Sequence, residues 1–110
     1  MEQRDIVLVL FPFSDLKSEK VRPTIIVSNN DYNRKFEDIV VVPLTSNLAL
    51  RDYTIKLTNQ DLEEGDILRE SNIKVDRIFS INKKAVYKII GKINKQKFRP
   101  IKEMVYKLID

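Results

Sequence analysis

Three short runs of mostly apolar residues in the first half of the chain limit most strongly what it can fold into. They cover residues 5–13, 24–27 and 39–44. Runs of this length are typical of strands, and the stiff side chains of isoleucine and valine favour an extended backbone. The first run has no polar position after Asp5, which predicts a strand buried on both faces. Polar clusters follow the second and third runs and predict turns there.

Arg22 and Pro23 stand immediately before the second run. Proline lacks a backbone N–H, so we predict that Pro23 occupies the first position of that strand. Residues 14–20 then form a charged loop, and Arg22 lies at the junction between loop and strand. A rigid sheet rim suits an arginine that must hold a phosphate in place. An ordinary surface ion pair is the alternative explanation for this residue taken alone.

The second half of the chain predicts shorter strands and one late helix. We expect strands at 53–57, 67–68, 73–81 and 86–93, with a polar break at 70–72. Residues 60–66 predict a one-turn helix or tight turn that closes at Gly65, and Asn82 can cap a short helical turn through Ala85. Asn94 caps the final helix, in which Pro100 either begins the helix or kinks it. Its predicted apolar stripe consists of Phe98, Ile101, Met104, Val105, Leu108 and Ile109.

Many short strands and one helix predict a single domain over residues 1–110, mainly β with α: a small antiparallel β-barrel backed by a C-terminal helix. The chain has no cysteine, which removes disulfides and thiolate chemistry and suits a reducing cytoplasm. It also has no histidine, which excludes a Ser-His-Asp triad and histidine-based ribonuclease chemistry. We expect neither a membrane span nor a signal peptide.

The positive charge is concentrated in residues 83–110, which hold nine Lys/Arg against two acids, while the whole chain carries +4. This asymmetry indicates a polyanion or an acidic protein as a partner, and a merely soluble lysine-rich surface is the alternative.

Arg22 and Thr45 are the residues most able to carry chemistry together. A short connection favours antiparallel pairing of the second and third strands, which brings the start of one beside the end of the other. A guanidinium can then neutralise charge on a phosphorane while a hydroxyl donates to the same centre. RNA supplies its own 2′-hydroxyl nucleophile, so no metal or cofactor is needed. Glu19 can act as the base or orient the guanidinium; a solvated loop acid is the alternative.

Four segments resemble the PemK/MazF family of type II toxins in the same order: residues 5–9 (DIVLV), 21–33 (VRPTIIVSNNDYN), 41–46 (VVPLTS) and 75–78 (VDRI). The resemblance implies an SH3-like barrel that forms a homodimer. It also implies a sequence-specific, metal-independent endoribonuclease that cuts single-stranded RNA (mRNA) at short motifs and leaves 2′,3′-cyclic phosphate and 5′-hydroxyl ends.

The resemblance assigns the family's catalytic arginine to Arg22, with a part in proton transfer, and the family's catalytic threonine to Thr45. It places the family's mobile loop at 14–20, although many members have glycines there and this chain has none. The implied partner is an antitoxin with an acidic, partly disordered tail.

Six further residues are expected to contact the substrate. Ser46 and Asn47 are candidate base-reading residues, with plain turn roles as the alternative. Asp76 and Arg77 match positions near the family's substrate groove, and a structural Asp–Arg pair explains them equally well. The remaining two are the loop lysines Lys17 and Lys20. Two other functions stay open: a non-catalytic binding protein on this fold, such as a gyrase poison, and a housekeeping RNA-binding module.

Overall fold

The computed structural model describes residues 1–12 and 19–110, with side chains at 1–10 and 21–110. Within these residues the chain forms a single curved sheet, two α-helices and two short 3-10 turns. The strands are β1 Asp5–Pro12, β2 Glu19–Ile26, β3 Asp38–Thr45, β4 Thr54–Leu57, β5 Leu62–Gly65, β6 Ser71–Lys74, β7 Phe79–Asn82 and β8 Val86–Ile93. The helices are α1 Asn30–Lys35 and α2 Lys95–Ile109, and the 3-10 turns are Asn59–Asp61 and Lys83–Ala85.

The strands pair in the order β4-β6-β3-β2-β1-β8-β5, and β7 adds to β3. All of these pairings are antiparallel. The sheet curls into a half-barrel with α2 against one face, which confirms the predicted fold class. In the described part of the chain, no helix is long and apolar enough to cross a membrane.

Alternating residues of the central strands fill two separate cores. Ile6, Ile25 and Val42 belong to the larger core, which also takes Phe98 and Ile101 from α2. Their neighbours in sequence, including Val7, turn to a second core on the opposite face of the sheet. Ile6, Val7 and Val9 are buried, so the prediction that β1 is covered on both faces is confirmed for the first half of the strand, whereas Leu10 is exposed.

For the C-terminal helix, the predicted cap is confirmed, whereas the predicted extent of its apolar stripe is wrong. The Asn94 side chain caps it by accepting a hydrogen bond from the Lys97 N–H at 2.8 Å. The helix begins at Lys95, so Pro100 does not begin it. Leu108 and Ile109 were wrongly included in the apolar stripe, because they are 38% and 77% exposed and the core ends one turn earlier.

The start of β2 was also predicted wrongly. The strand begins at Glu19, so Arg22 and Pro23 lie inside it and residues 19–20 are not part of the loop. Proline is tolerated there because β3 pairs with β2 only from Thr24 onwards, so Pro23 has a strand partner on one side only.

The segment from 66 to 82 differs from its prediction as well. Residues 67–68 are not a strand, and the predicted strand 73–81 is two strands, β6 and β7, separated by a turn. Ser71 and Asn72 are buried in β6 instead of forming a polar break. Burial is tolerated because the Asn72 amide donates to two backbone carbonyls, at 3.1 and 3.3 Å, and the Ser71 hydroxyl donates to a third at 3.2 Å. Helix α1 was not predicted at all.

Candidate active site between strands two and three

A gap opens where β2 and β3 separate. The two strands pair from Ile26↔Val41 to Thr24↔Pro43 and no further. Beyond that point β3 turns to β6, where Thr45 pairs with Asn72, while β2 continues along β1. The divergence of the two strands therefore leaves an opening at this end of the sheet.

A cavity of about 430 Å³ occupies this gap. Its volume lies in the range of roughly 300–1,000 Å³ that is usual for small-molecule sites. The polar groups around it are two guanidinium groups and three hydroxyl groups; among the lining residues that the structure describes there is no carboxylate. The lining consists of Leu8, Val21, Arg22, Pro23, Leu44, Thr45, Ser46, Ile67, Leu68, Arg69, Ser71 and Ile90.

The structure brings Arg22 and Thr45 together at this cavity. Thr24 and Pro43 form the last pair, and Arg22 and Thr45 each lie two residues beyond it, one on each side of the gap. Alternate residues of a strand point to the same face, so each shares the face of its member of that pair. Residues opposite each other in an antiparallel pair project to the same face of the sheet. Both residues are half-buried. The antiparallel arrangement that the sequence predicted therefore holds, with Arg22 inside the strand and not at its start.

The Thr45 hydroxyl is oriented by the loop that follows it. Its Oγ1 accepts a hydrogen bond from the Asn47 N–H at 3.2 Å. The Asn47 side chain accepts from the Ala49 N–H at 3.0 Å, so it shapes the turn, and Asn47 does not line the cavity. Because a hydroxyl has one donor and two acceptor sites, the Thr45 proton remains available to a ligand. Ser46, next to Thr45, does line the cavity.

Asp76 and Arg77 do not line this cavity. Asp76 instead forms a bidentate ion pair with Arg51, with Nη1–Oδ1 and Nη2–Oδ2 distances of 3.0 and 2.8 Å. The pair joins the turn after β6 to the loop after β3. The alternative of a structural Asp–Arg pair is therefore the one that the geometry supports, although the partner is Arg51 and not Arg77.

The ion pair also shifts the acidity of its two members. Hydrogen bonds from the Arg51 guanidinium hold the pKa of Asp76 below its usual value, and the same bonds raise the pKa of Arg51. A carboxylate whose pKa is lowered by folding stabilises the fold above its unfolded pKa of about 3.9. That stabilisation is lost as the pH falls through the lowered pKa of the folded state.

We expect Asp76→Asn to lower the melting temperature slightly at pH 7, since Arg51 is half exposed and water screens the pair. The difference from wild type should shrink as the pH falls below about 4, because wild-type Asp76 then becomes neutral as well. Thermal melts at several pH values, with Asp52→Asn as the matched control, measure this. A melting difference that stays constant down to the most acidic stable pH would contradict the assignment.

The side chains of three further predicted site residues lie outside the part of the chain that the structure describes. Glu19 and Lys20 belong to β2, where their backbones pair with Pro12 and Phe11, and their side chains lie outside the described set. Lys17 lies outside the described residues altogether. Their proposed roles remain predictions.

The cavity is also lined by three residues that were not predicted from the sequence: Leu68, Arg69 and Ser71. They lie in or next to the segment between β5 and β6, which reaches the cavity because β6 pairs with the end of β3. No local pattern around these residues signals that contact. Within the described ranges, no three or more acidic side chains are grouped so that they could hold a metal ion.

The sequence that forms this half-barrel matches a family model. The model of the family described as "PemK-like, MazF-like toxin of type II toxin-antitoxin system" matches residues 2–109. The chain therefore belongs to the PemK-like, MazF-like toxins of type II toxin–antitoxin systems. A search of curated protein sequences finds no match.

Several solved structures have a similar fold. An endoribonuclease from a mycobacterial species, in complex with its cognate antitoxin, has a TM-score of 0.79 and 19% identity over 99% of this chain and 94% of its own. MazF in a MazE–MazF complex from Deinococcus radiodurans has a TM-score of 0.82 and 13% identity over 99% and 95%. The Mycobacterium tuberculosis toxin MazF-mt6 has a TM-score of 0.77 and 18% identity over 97% of each chain.

Proposed function

We propose that this chain is a toxin that acts as a sequence-specific, metal-independent endoribonuclease on single-stranded RNA. The observation that carries the proposal is the placement of Arg22 and Thr45 on one cavity, with no carboxylate among its described lining residues. Such a site attracts a phosphate and offers both a cation and a hydroxyl donor to it. Membership in the toxin family and the endoribonucleases among the similar folds support the same function.

The proposed reaction is an internal phosphoryl transfer. The 2′-oxygen of a ribose attacks the adjacent phosphorus and forms a cyclic phosphate as the bond to the 5′-oxygen breaks. The proton lost by the 2′-hydroxyl is balanced by the proton that the departing 5′-oxygen gains, which gives a 5′-hydroxyl end. No metal, cofactor or covalent enzyme intermediate is needed.

In this reaction, Arg22 neutralises the charge that grows on the non-bridging phosphate oxygens, because a planar guanidinium can donate to two of them at once. The Thr45 hydroxyl donates to the same group while its own oxygen is held by the Asn47 N–H. Glu19 is proposed to accept the 2′-proton or to orient the guanidinium, and Arg22 to take part in proton transfer. Lys17, Lys20 and Ser46 are proposed to contact the flanking RNA.

The proposal also includes partners. One of the similar structures is a complex with its cognate antitoxin and another is of MazE–MazF. The basic C-terminal third of this chain suits an antitoxin with an acidic flexible tail. A cytoplasmic homodimer is proposed on the same family grounds.

Cleavage of a long single-stranded RNA in the presence of EDTA tests the proposed function. We expect discrete cuts whose mapped ends are a 2′,3′-cyclic phosphate and a 5′-hydroxyl, because the attacking oxygen belongs to the RNA. Cleavage that EDTA abolishes would refute metal independence. Intact RNA after incubation with folded protein, together with tight binding to gyrase, would favour the non-catalytic toxin instead.

A further inference from the structure

The segment between β5 and β6 carries a second arginine to the cavity. Arg69 lines the same cavity as Arg22, and its side chain is exposed. Among the described residues, Arg69 makes no ion pair, and its backbone carbonyl accepts a hydrogen bond from the Ser71 hydroxyl at 3.2 Å. A cation beside a cavity and without an acidic partner is positioned for a ligand of opposite charge.

Both sides of Arg69 are fixed to the rest of the fold. The backbone N–H and carbonyl of Ile67 are bonded to the Asn59 side chain at 2.8 and 3.2 Å, and Ile67 is buried. On the other side, Ser71 begins β6 and is buried as well. Only residues 68–70 lie between these anchors, so the backbone that carries the Arg69 side chain is restrained. A restrained backbone loses less conformational entropy when its side chain binds a ligand.

The nearby acid does not cancel the charge of Arg69. Glu70 is ion-paired with Lys56 of β4 at 3.4 Å. Leu68, which is fully exposed, and Val21 add apolar surface beside the two arginines. A cavity lined by two cations, hydroxyl groups and apolar surface suits a nucleic-acid strand better than an isolated anion, since the strand offers several phosphates and apolar base faces.

We propose that Arg69 binds a backbone phosphate next to the one that is cleaved, so that Arg22 and Arg69 hold two phosphates of one RNA strand. The assignment of the cleaved phosphate to Arg22 rests on the proposed function. Arg69 thereby sets the position of the strand in the cavity, while Arg22 acts on the reacting phosphate. This division of roles predicts that loss of Arg69 weakens binding and leaves the chemical step intact.

A binding assay that does not depend on cleavage tests this role. The probe is a short single-stranded 2′-O-methyl RNA of mixed sequence, which lacks the nucleophile and stays intact. We expect Arg69→Ala to raise the Kd about tenfold, the loss typical of a hydrogen bond to a charged group. The slope of log K against log salt should fall by about 0.7, the value for one phosphate contact on a single strand. Arg69→Lys should keep most of that slope.

Arg99→Ala is the matched control, because it removes the same charge from an exposed arginine outside the cavity. Its Kd and slope should stay near those of wild type, and all variants should melt at the wild-type temperature. An Arg69→Ala variant that binds the probe with the wild-type Kd and slope overturns the inference, even if wild type cleaves RNA. If wild type does not cleave RNA but Arg69→Ala still shows the expected loss of affinity, Arg69 is supported as a phosphate-binding residue and only the proposed function is refuted. Absence of probe binding by wild type refutes both.

Discussion

Arg22→Ala should reduce the single-turnover rate of RNA cleavage by about a thousandfold, the loss seen when an arginine that stabilises a phosphoryl transition state is removed. Among the described residues that line the cavity, Arg69 would then be the remaining cation, and we assign it to a neighbouring phosphate. The charge that grows on the phosphate oxygens would therefore not be neutralised. Arg22→Lys should remain impaired by about a hundredfold, because an ammonium keeps the charge but cannot donate to two oxygens in one plane.

Arg99→Ala serves as the control for the loss of one positive charge and should cleave at the wild-type rate. Quench-flow measurement with enzyme in excess isolates the chemical step from product release. Melting curves of each variant separate a loss of catalysis from a loss of folding. A folded Arg22→Ala variant that keeps the wild-type rate would show that Arg22 is not catalytic.

Gly65→Ala should destabilise the fold by about 3 kcal/mol or more, because the added methyl group meets both backbone strain and a steric clash. Gly65 has a φ of 79°, in the left-handed region where L residues are strained. A Cβ there would also lie 2.0 Å from the Ile90 carbonyl oxygen and 2.5 Å from the Gly91 Cα. Both contacts are with backbone, so relief requires β5 and β8 to move apart.

Urea unfolding measures this loss as a lower transition midpoint at an unchanged slope. Glu64→Ala, in the same strand and with an exposed side chain, is the matched control and should unfold near the wild-type midpoint. Equal midpoints for the two variants would contradict the close approach of β5 to β8. Because the segment after β5 carries Arg69, the Gly65 variant should also bind RNA less well.

Local sequence patterns were sufficient to predict the central strands of the sheet and most of the C-terminal helix. The apolar runs of β1 and β3 have the composition of buried strands, and Asn94 is a strong helix cap. The end of the helical stripe was predicted wrongly because periodicity cannot tell where the sheet beneath the helix ends. The start of β2 was predicted wrongly because the tolerance of Pro23 depends on which neighbour is still paired at that position.

The candidate site was likewise only partly predictable from the sequence. Arg22 and Thr45 could be brought together from the sequence because two strands joined by a short connection pair antiparallel. Arg69 could not, because it reaches the cavity through pairing of β6 with β3, from a distant part of the chain. The partner of Asp76 could not be found either, since Arg51 lies 25 residues away and no short-range pattern links them.

The central claim is that Arg22 and Thr45 act on one phosphate, and a double-mutant cycle on single-turnover RNA cleavage in EDTA tests it most directly. Thr45→Ala alone should slow cleavage by about a hundredfold through the lost hydrogen bond to the transition state. If both groups serve one phosphate, the double variant should be little slower than Arg22→Ala, because residues that act as a unit have non-additive effects. Losses that multiply fully in the double variant, or a wild type that does not cleave, would contradict this account.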